Sequence, residues 1–389
     1  MKVLMLHNRY LVSGGEDHAT AADVALLREH GQQVALLEQD NSAIAELGRT
    51  RTAIGTLWSS RSRVRVEKEL HAGDYDILHV QNFFPLWSPS VYYAASRCRV
   101  PVVQTLHNYR LFCINSFLFR DNHVCEDCLG RTFPWPGIVH RCYRDSRAGS
   151  AVVAGMIGLH NMMGTWSSKV HMYIAVSEFA RDKYISAGLP SEKVAVKPNF
   201  LDPAPSPGAG GGGYALYVGR LSPEKGIATM LDGWKAASKP VPLKIVGDGP
   251  LKDLVIASCP ANPAVEYLGS KSPAEVMDLM RRAELLVFPS RWQETMGRTV
   301  MEAFAVGTPV LASAIGPMLS MVVPGKNGFH FTPGDAASLR AQVEWCSRNL
   351  EQLRALREGA LASFDEKYTG AFSARILLSI YRQAQAARG

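Results

Sequence analysis

Across 389 residues, no apolar run approaches the roughly 20 residues that a membrane-spanning helix needs. No small-residue cleavage site follows the short apolar stretch Met1-Lys2-Val3-Leu4-Met5-Leu6-His7, so that stretch reads as a first strand and not as a signal peptide. The expectation is a cytoplasmic protein. No P-loop is present, and aromatic residues do not interleave with basic ones, which argues against nucleic acid as a partner. Two literal motif matches lack their context. Gly208, Gly210 and Gly213 fit G-x-G-x-x-G but precede a strand instead of following one. Asp74-Tyr75-Asp76 fits a metal–diphosphate D-x-D but merely leads into the strand Ile77 to Val80.

What is present is an ordinary globular balance, 47% apolar and 20% charged. The chain is too long for one compact core and suits two α/β domains. Strand-like runs alternate with helix-like ones: Lys2 to Asn8, Val34 to Glu38, Ile77 to Val80, Val102 to Leu106 and Tyr173 to Val176. The Pro- and Gly-rich segment 202–213 then reads as a linker. The pattern restarts with Tyr214 to Val218, Leu243 to Val246, Val265 to Leu268, Leu285 to Phe288 and Val310 to Ala312. Such alternation predicts parallel sheets with right-handed crossovers. The expected domains are residues 1–200, a linker at 201–213, residues 214–370, and a C-terminal helix, 371–389, packing back on the first domain. That helix, read from Phe372 to Ala386, places Ile376, Leu377, Ile380 and Tyr381 on one face.

Two glutamates, Glu294 and Glu302, stand eight positions apart around a polar turn. A buried strand ending at Pro289 precedes them, and a helix from Thr299 to Val306, stopped by Gly307, contains the second. The C-terminal edge of a strand is where open α/β sheets bind ligands, and helix N–H groups there attract phosphate. Eight residues of helical rise span roughly 12 Å, comparable to the reach from the sugar to the ribose of a nucleotide sugar. The competing reading is a surface acid followed by a helix-face acid. Arg220 and Lys225, after the strand ending at Val218, could neutralise a departing diphosphate or be surface cations. The turn at Gly247 follows the next strand and could meet the same ligand or be a tight turn only. In the first half, Ser13-Gly14-Gly15-Glu16 follows the first strand, and glycine there permits close backbone approach. His107 follows the strand ending at Leu106, a position for a reacting-centre group as well as for a structural histidine.

Four of seven cysteines, Cys113, Cys125, Cys128 and Cys142, lie in a long insertion at about 108–147. Cys125 and Cys128 form a C-x-x-C with outer spacings of eleven and thirteen. Four thiolates could hold a structural zinc, while reduced structural cysteines or a redox pair are the alternatives. Net charge is +7. Arg49, Arg51, Arg61, Arg63, Arg65 and Lys68 concentrate the basic character, which suits an anionic membrane surface, an anionic acceptor, or a solvated helix face.

Taken together, Gly14-Gly15-Glu16, the strand-end His107, Ser177-Glu178-Phe179, Val218-Gly219-Arg220 with Lys225-Gly226, Gly247-Asp248-Gly249-Pro250, and Glu294 to Glu302 followed by Gly307-Thr308-Pro309-Val310 resemble glycosyltransferase family 4. The resemblance spans essentially the whole chain. It implies a GT-B fold, with two Rossmann-like domains flanking a cleft, and a retaining transfer of hexose from a nucleoside-diphosphate sugar to a saccharide or lipid-linked acceptor. The first domain would take the acceptor. By resemblance the catalytic set is His107, Arg220, Lys225 and Glu294. Gly15, Gly219, Gly247, Met296, Gly297, Arg298, Thr299 and Glu302 would bind the donor. No catalytic cofactor is implied. The chain departs from the family at Thr295-Met296, where Gly-Phe is common, at Asn199-Phe200 in place of Asn-Gly, and at Gln81 in place of a frequent second histidine. No second carboxylate beside His107 is evident from sequence. A GT-B epimerase and a non-catalytic sugar-nucleotide-binding module are the other readings.

Overall fold

The computed structural model describes residues 1–11 and 14–387. Ser13 therefore lies outside the described residues. The chain divides into two compact units: Met1–Leu118, Cys125–Asn199 and Ala371–Gly389 form one, and Phe119–Val124 with Phe200–Gly370 form the other.

The strands, in chain order, are β1 (Lys2–Arg9), β2 (Gln33–Asp40), β3 (Ile77–Val80), β4 (Val102–Leu106), β5 (Phe119–Arg120), β6 (His123–Val124), β7 (Met172–Ala175), β8 (Val194–Val196), β9 (Ala215–Val218), β10 (Leu243–Val246), β11 (Val265–Gly269), β12 (Leu285–Phe288), β13 (Val310–Ser313) and β14 (Gly328–Phe331). The first unit carries a six-stranded sheet in the order β2-β1-β3-β4-β7-β8, and the second a six-stranded sheet in the order β11-β10-β9-β12-β13-β14. All pairings in both sheets are parallel. The short hairpin β5–β6 is antiparallel. In each sheet the chain reverses its direction of travel once. The first reverses between β1 and β3, the second between β9 and β12. These switch points open a crevice at the C-terminal ends of the strands, because the crossovers on either side diverge to opposite faces.

A parallel sheet is covered on both faces, so its central strands are apolar throughout. β3, β4, β7, β12 and β13 are buried at every residue. Alternation within β1 sends Leu4 and Leu6 into one core and Val3 and Met5 into another. The second of these cores includes Leu377, Ile380, Tyr381 and Ala384 from the C-terminal helix Gly370–Ala386. Burying an aliphatic side chain such as Leu377 contributes about 1.5–3 kcal/mol. The Tyr381 hydroxyl meets His79 Nδ1 at 2.8 Å, which satisfies its polar tip inside that core.

The Gly-rich segment is tied along the second unit. Gly208, Gly210 and Gly212 donate backbone N–H to the carbonyls of Val306, Arg281 and Arg282. Arg357 returns a bond to the Gly208 carbonyl, and buried Glu284 accepts from both Arg354 and the Gly213 N–H. Composition alone does not reveal this, since glycine suits both a loose tether and a segment pressed against other backbone. Asp76 of the D-x-D match accepts from the backbone N–H of Lys2 at 2.7 Å and so anchors the start of β1.

Candidate active site

In the second unit the loops after β9 and β12 meet at the switch point. Gly226 adopts φ +72°, and a Cβ there would lie 1.9 Å from the Pro289 carbonyl oxygen. Only glycine permits that approach. Arg291 N–H bonds the Glu224 carbonyl at 2.8 Å and closes the same junction. The result sets Lys225 Nζ 2.7 Å from Glu294 Oε1. Ser290 Oγ donates to the same carboxylate oxygen at 2.5 Å. The lysine also lies over the rings of Phe288 and Trp292, at 5.7 and 5.5 Å from their centroids. Glu294 is 9% exposed and Lys225 22%, so the pair is sheltered yet reachable. Arg220 is exposed on the loop after β9, where its carbonyl accepts from the Tyr217 hydroxyl.

Gly297 caps the helix Arg298–Ala305, whose first turn faces the C-terminal end of the sheet. A helix leaves its first N–H groups without intrahelical acceptors, and its dipole favours an anion there. Met296 is buried, Thr299 half-buried, and Glu302 pairs with Arg298 at 2.9 Å. Gly247 sits at φ +142°, where a Cβ would come within 1.9 Å of the Gly219 carbonyl oxygen. Its N–H bonds the Gly269 carbonyl, and the Gly219 N–H bonds the Val246 carbonyl. Gly247 thereby lets adjacent strand-end loops pack together, a structural reason for glycine there.

In the first unit, Gly15 opens the helix Gly15–Glu29 and is exposed. A Cβ at Gly15 would meet nothing within 4 Å, so packing does not demand glycine there. His107 stands at the end of β4, and its Nε2 lies 2.7 Å from Gln81 Oε1. Burial pushes its pKa down to about 3, against the pull of Asp23, so the imidazole is neutral. The recess beside it is lined by Tyr10, Asn82, Asn108 and Arg110, among others.

Two groups escaped the sequence reading. The first is Glu16, which accepts from Tyr10 Oη at 2.9 Å and from Asn108 Nδ2 at 2.5 Å. Burial raises its pKa, opposed by those two hydrogen bonds. A carboxylate is thus bonded to Asn108, the residue following His107. Glu16 lies within the Gly14-Gly15-Glu16 motif but received no role from sequence, since an acid in a helix's first turn is explained equally well by the helix dipole. The second is the buried pair Lys197–Asp23, 2.9 Å apart and 3% and 4% exposed. It links residues 174 apart, a separation that no local pattern exposes.

The structure lends no support to the candidate zinc site in the cysteine insertion. No three His, Cys, Asp or Glu residues among the described ones are grouped to hold a metal ion. Cys113 Sγ bonds Asn115 Oδ1 at 3.0 Å, and Cys128 Sγ approaches the Pro134 carbonyl at 3.9 Å. Burial, reinforced by the Cys113 thiol, pushes Cys128 up to about 12, and burial raises Cys113 as well. Both thiols donate to oxygen. The basic helices are also partly committed. Arg63 pairs with Glu67 at 2.7 Å, and Arg65 lies over the Trp87 ring at 4.9 Å. No helix among the described residues is long and apolar enough to cross a membrane.

The sequence model described as "Glycosyltransferase Family 4" matches residues 23–205, and that described as "Glycosyl transferases group 1" matches residues 203–362. The chain is 30% identical over 177 residues to glycogen synthase of Mycobacterium tuberculosis (strain H37Rv), covering 43% of this chain and 42% of that protein. It is 29% identical over 227 residues to phosphatidyl-myo-inositol mannosyltransferase of Mycobacterium leprae, covering 56% and 60%. The matched segments thus span about two-fifths to three-fifths of these relatives' lengths. Among solved structures, Anabaena HepE in complex with UDP-glucose aligns with a TM-score of 0.68 at 19% identity, over 99% of this chain and 98% of that one. Sucrose-phosphate synthase from Thermosynechococcus elongatus aligns with a TM-score of 0.69 at 16% identity, over 99% of each chain. At those identities the likeness speaks for the fold, GT-B with two Rossmann-like units. Matched half by half across residues 23–362, the chain belongs to glycosyltransferase family 4.

Proposed function

We propose that this protein transfers a hexose, with retention, from a nucleoside-diphosphate sugar to a saccharide or lipid-linked acceptor. The Lys225–Glu294 pair at the second unit's switch point carries this reading, because it sets a cation and a carboxylate beside a helix N-terminus. Lys225 and Arg220 would neutralise the diphosphate, with the amides near Thr299 assisting. Glu294 would hold sugar hydroxyls and Glu302 the ribose. On the first unit, His107 and Gly15 would act at the reacting centre and on the phosphate. In the reaction, the bond between the sugar's anomeric carbon and the phosphate oxygen breaks, and its electron pair leaves with the diphosphate. The acceptor oxygen bonds the same face of that carbon, and its proton passes to the departing phosphate. These charges suffice without a catalytic metal, so full activity in EDTA is expected, and its loss would refute this part of the proposal.

The fold neighbour bound to UDP-glucose supports a nucleotide-sugar donor. A thermal-shift panel of UDP-, GDP- and ADP-sugars tests it. A donor at a hundredfold its Kd stabilises the folded state by about 2.7 kcal/mol. One nucleotide series should shift the melt, and no shift with any would sink the proposal. The epimerase alternative would release free epimerised sugar from the donor alone. The transferase names of the relatives weigh against it.

Arg49, Arg51, Arg61 and Lys68 are exposed near exposed Ile54 and Val64. That combination supports peripheral contact with an anionic membrane surface, the inner face for a cytoplasmic protein. Sedimentation with phosphatidylserine-containing vesicles should exceed that with neutral vesicles at low salt and fall at high salt. Equal binding to both would remove the membrane contact from the proposal.

A further inference from the structure

Behind His107 runs a chain of hydrogen bonds that reaches the core of the first unit. Lys197 Nζ donates to Asp23 Oδ1 at 2.9 Å. Gln81 Nε2 donates to Asp23 Oδ2 at 2.9 Å. Gln81 Oε1 then stands 2.7 Å from His107 Nε2. Asp23 and Gln81 are both buried.

The chemistry of each group leaves one arrangement. Burial raises the Asp23 carboxyl, but Lys197, His79 and the hydrogen bonds outweigh it and hold the group below its ordinary value. An ionised carboxylate only accepts, so the Gln81 end facing it is the NH2 group. The other end, toward His107, is therefore the carbonyl oxygen. A carbonyl also only accepts, so His107 Nε2 carries the proton, and the neutral ring's lone pair is on Nδ1. Gln81 Nε2 has one further neighbour, Met5 Sδ at 3.8 Å, a weak acceptor that agrees with this orientation.

We infer that Asp23 and Gln81 are a positioning relay, which locks His107 as its Nε2–H tautomer so that Nδ1 accepts a hydrogen bond from a substrate hydroxyl. The inference rests on the proposed sugar transfer for the identity of that hydroxyl, but not for the tautomer. The charged and titratable groups acting on the ring are Asp23, His7, Lys197 and His79. Burial, joined by His7, Lys197 and His79, keeps it neutral against the pull of Asp23, so it acts by accepting and not by shuttling a proton.

Long-range ¹H–¹⁵N spectra of protein labelled at histidine test this directly, with His107→Asn identifying the resonances. The relay requires a pyrrole-type Nε2 and a pyridine-type Nδ1 for His107 between about pH 6 and 8, where a ring of ordinary pKa would titrate. The reverse tautomer, or averaging of both nitrogens, would overturn it whether or not the chain is a transferase. Gln81→Met keeps the side-chain length, removes the carbonyl, and leaves Asp23 its Lys197 partner. In that variant the two nitrogens should average, and kcat should fall on the order of tenfold, the worth of one hydrogen bond. The donor Kd, measured by thermal shift, should not change. An unchanged ¹⁵N pattern refutes the relay, and an averaged pattern with unchanged kcat refutes its part in the reaction.

Discussion

Replacing Lys225 by alanine is expected to lower turnover by about 10²–10³-fold, the usual result of removing one donor aimed at developing charge. Glu294→Gln should lower it comparably, because the amide keeps the shape but loses the charge that pairs with Lys225. The two variants separate by what they perturb. Lys225→Ala removes a diphosphate contact and should weaken binding of the free nucleoside diphosphate. Glu294→Gln should leave that binding near its original value, since the proposed contact is to the sugar. Lys225→Arg is no substitute, since a planar fork does not reproduce a compact ammonium 2.7 Å from one carboxylate oxygen. Fold must be checked alongside, because Glu294 is 9% exposed and would lose its partner. It keeps the Ser290 hydrogen bond, and the half-reachable lysine is solvated, so the cost is nearer 1–3 kcal/mol than that of breaking a fully buried pair. A domain of this size loses roughly 2–4 °C of Tm per kcal/mol, so melting should remain cooperative. Wild-type turnover in a folded Lys225→Ala protein would remove the second unit's pair from the mechanism.

The sequence was most legible where physics is local. Runs such as Ile77 to Val80 and Leu285 to Phe288 are apolar throughout, because both faces of a parallel sheet are covered. Of the four edge strands, β2 and β11 were read, but β8 and β14 were not. β8 is three residues long, and β14 opens on a glycine, so neither offers a run to recognise. The site divides along the same line. Lys225 and Glu294 could be placed at strand ends from pattern, but their contact depends on Gly226 pressing against Pro289, 63 positions away in sequence. Asp23 read as one more residue of the first helix. Its importance comes from Lys197 and Gln81, which only the sheet's order brings to it. The cysteines misled for the opposite reason. Spacing counts residues, but a metal site needs ligands in a holding geometry, and no such group forms among the described residues.

Acid should destabilise the first unit well above the pH at which ordinary carboxylates protonate. Burial lowers His79 to about 4, opposed by Asp23, while its nitrogens contact Tyr381 Oη and Thr105 Oγ1, each at 2.8 Å. In the unfolded chain the same ring titrates near 6.5. Between those values the unfolded state binds the extra proton, so stability is full above about pH 6.5 and falls as pH drops toward 4. The slope is about 1.4 kcal/mol per pH unit, and for His79 alone the loss reaches about 3 kcal/mol. His107, lowered to about 3, adds a loss of the same sign that continues further into acid. Asp23 acts last. Its carboxyl is held below the usual range, so its contribution is present above the unfolded carboxylate pKa and disappears only as pH falls through the lowered folded value. Urea unfolding at half-unit steps from pH 7.5 to 4.5 should show a level midpoint down to about pH 6.5 and a steady decline below it. In His79→Gln the absolute stability will be lower, because Tyr381 and Thr105 lose their partner. The informative quantity is its slope, which should be shallower than wild type by up to 1.4 kcal/mol per pH unit over the same window. An identical slope would mean that His79 is not held neutral in the folded core, and that another group drives the acid response.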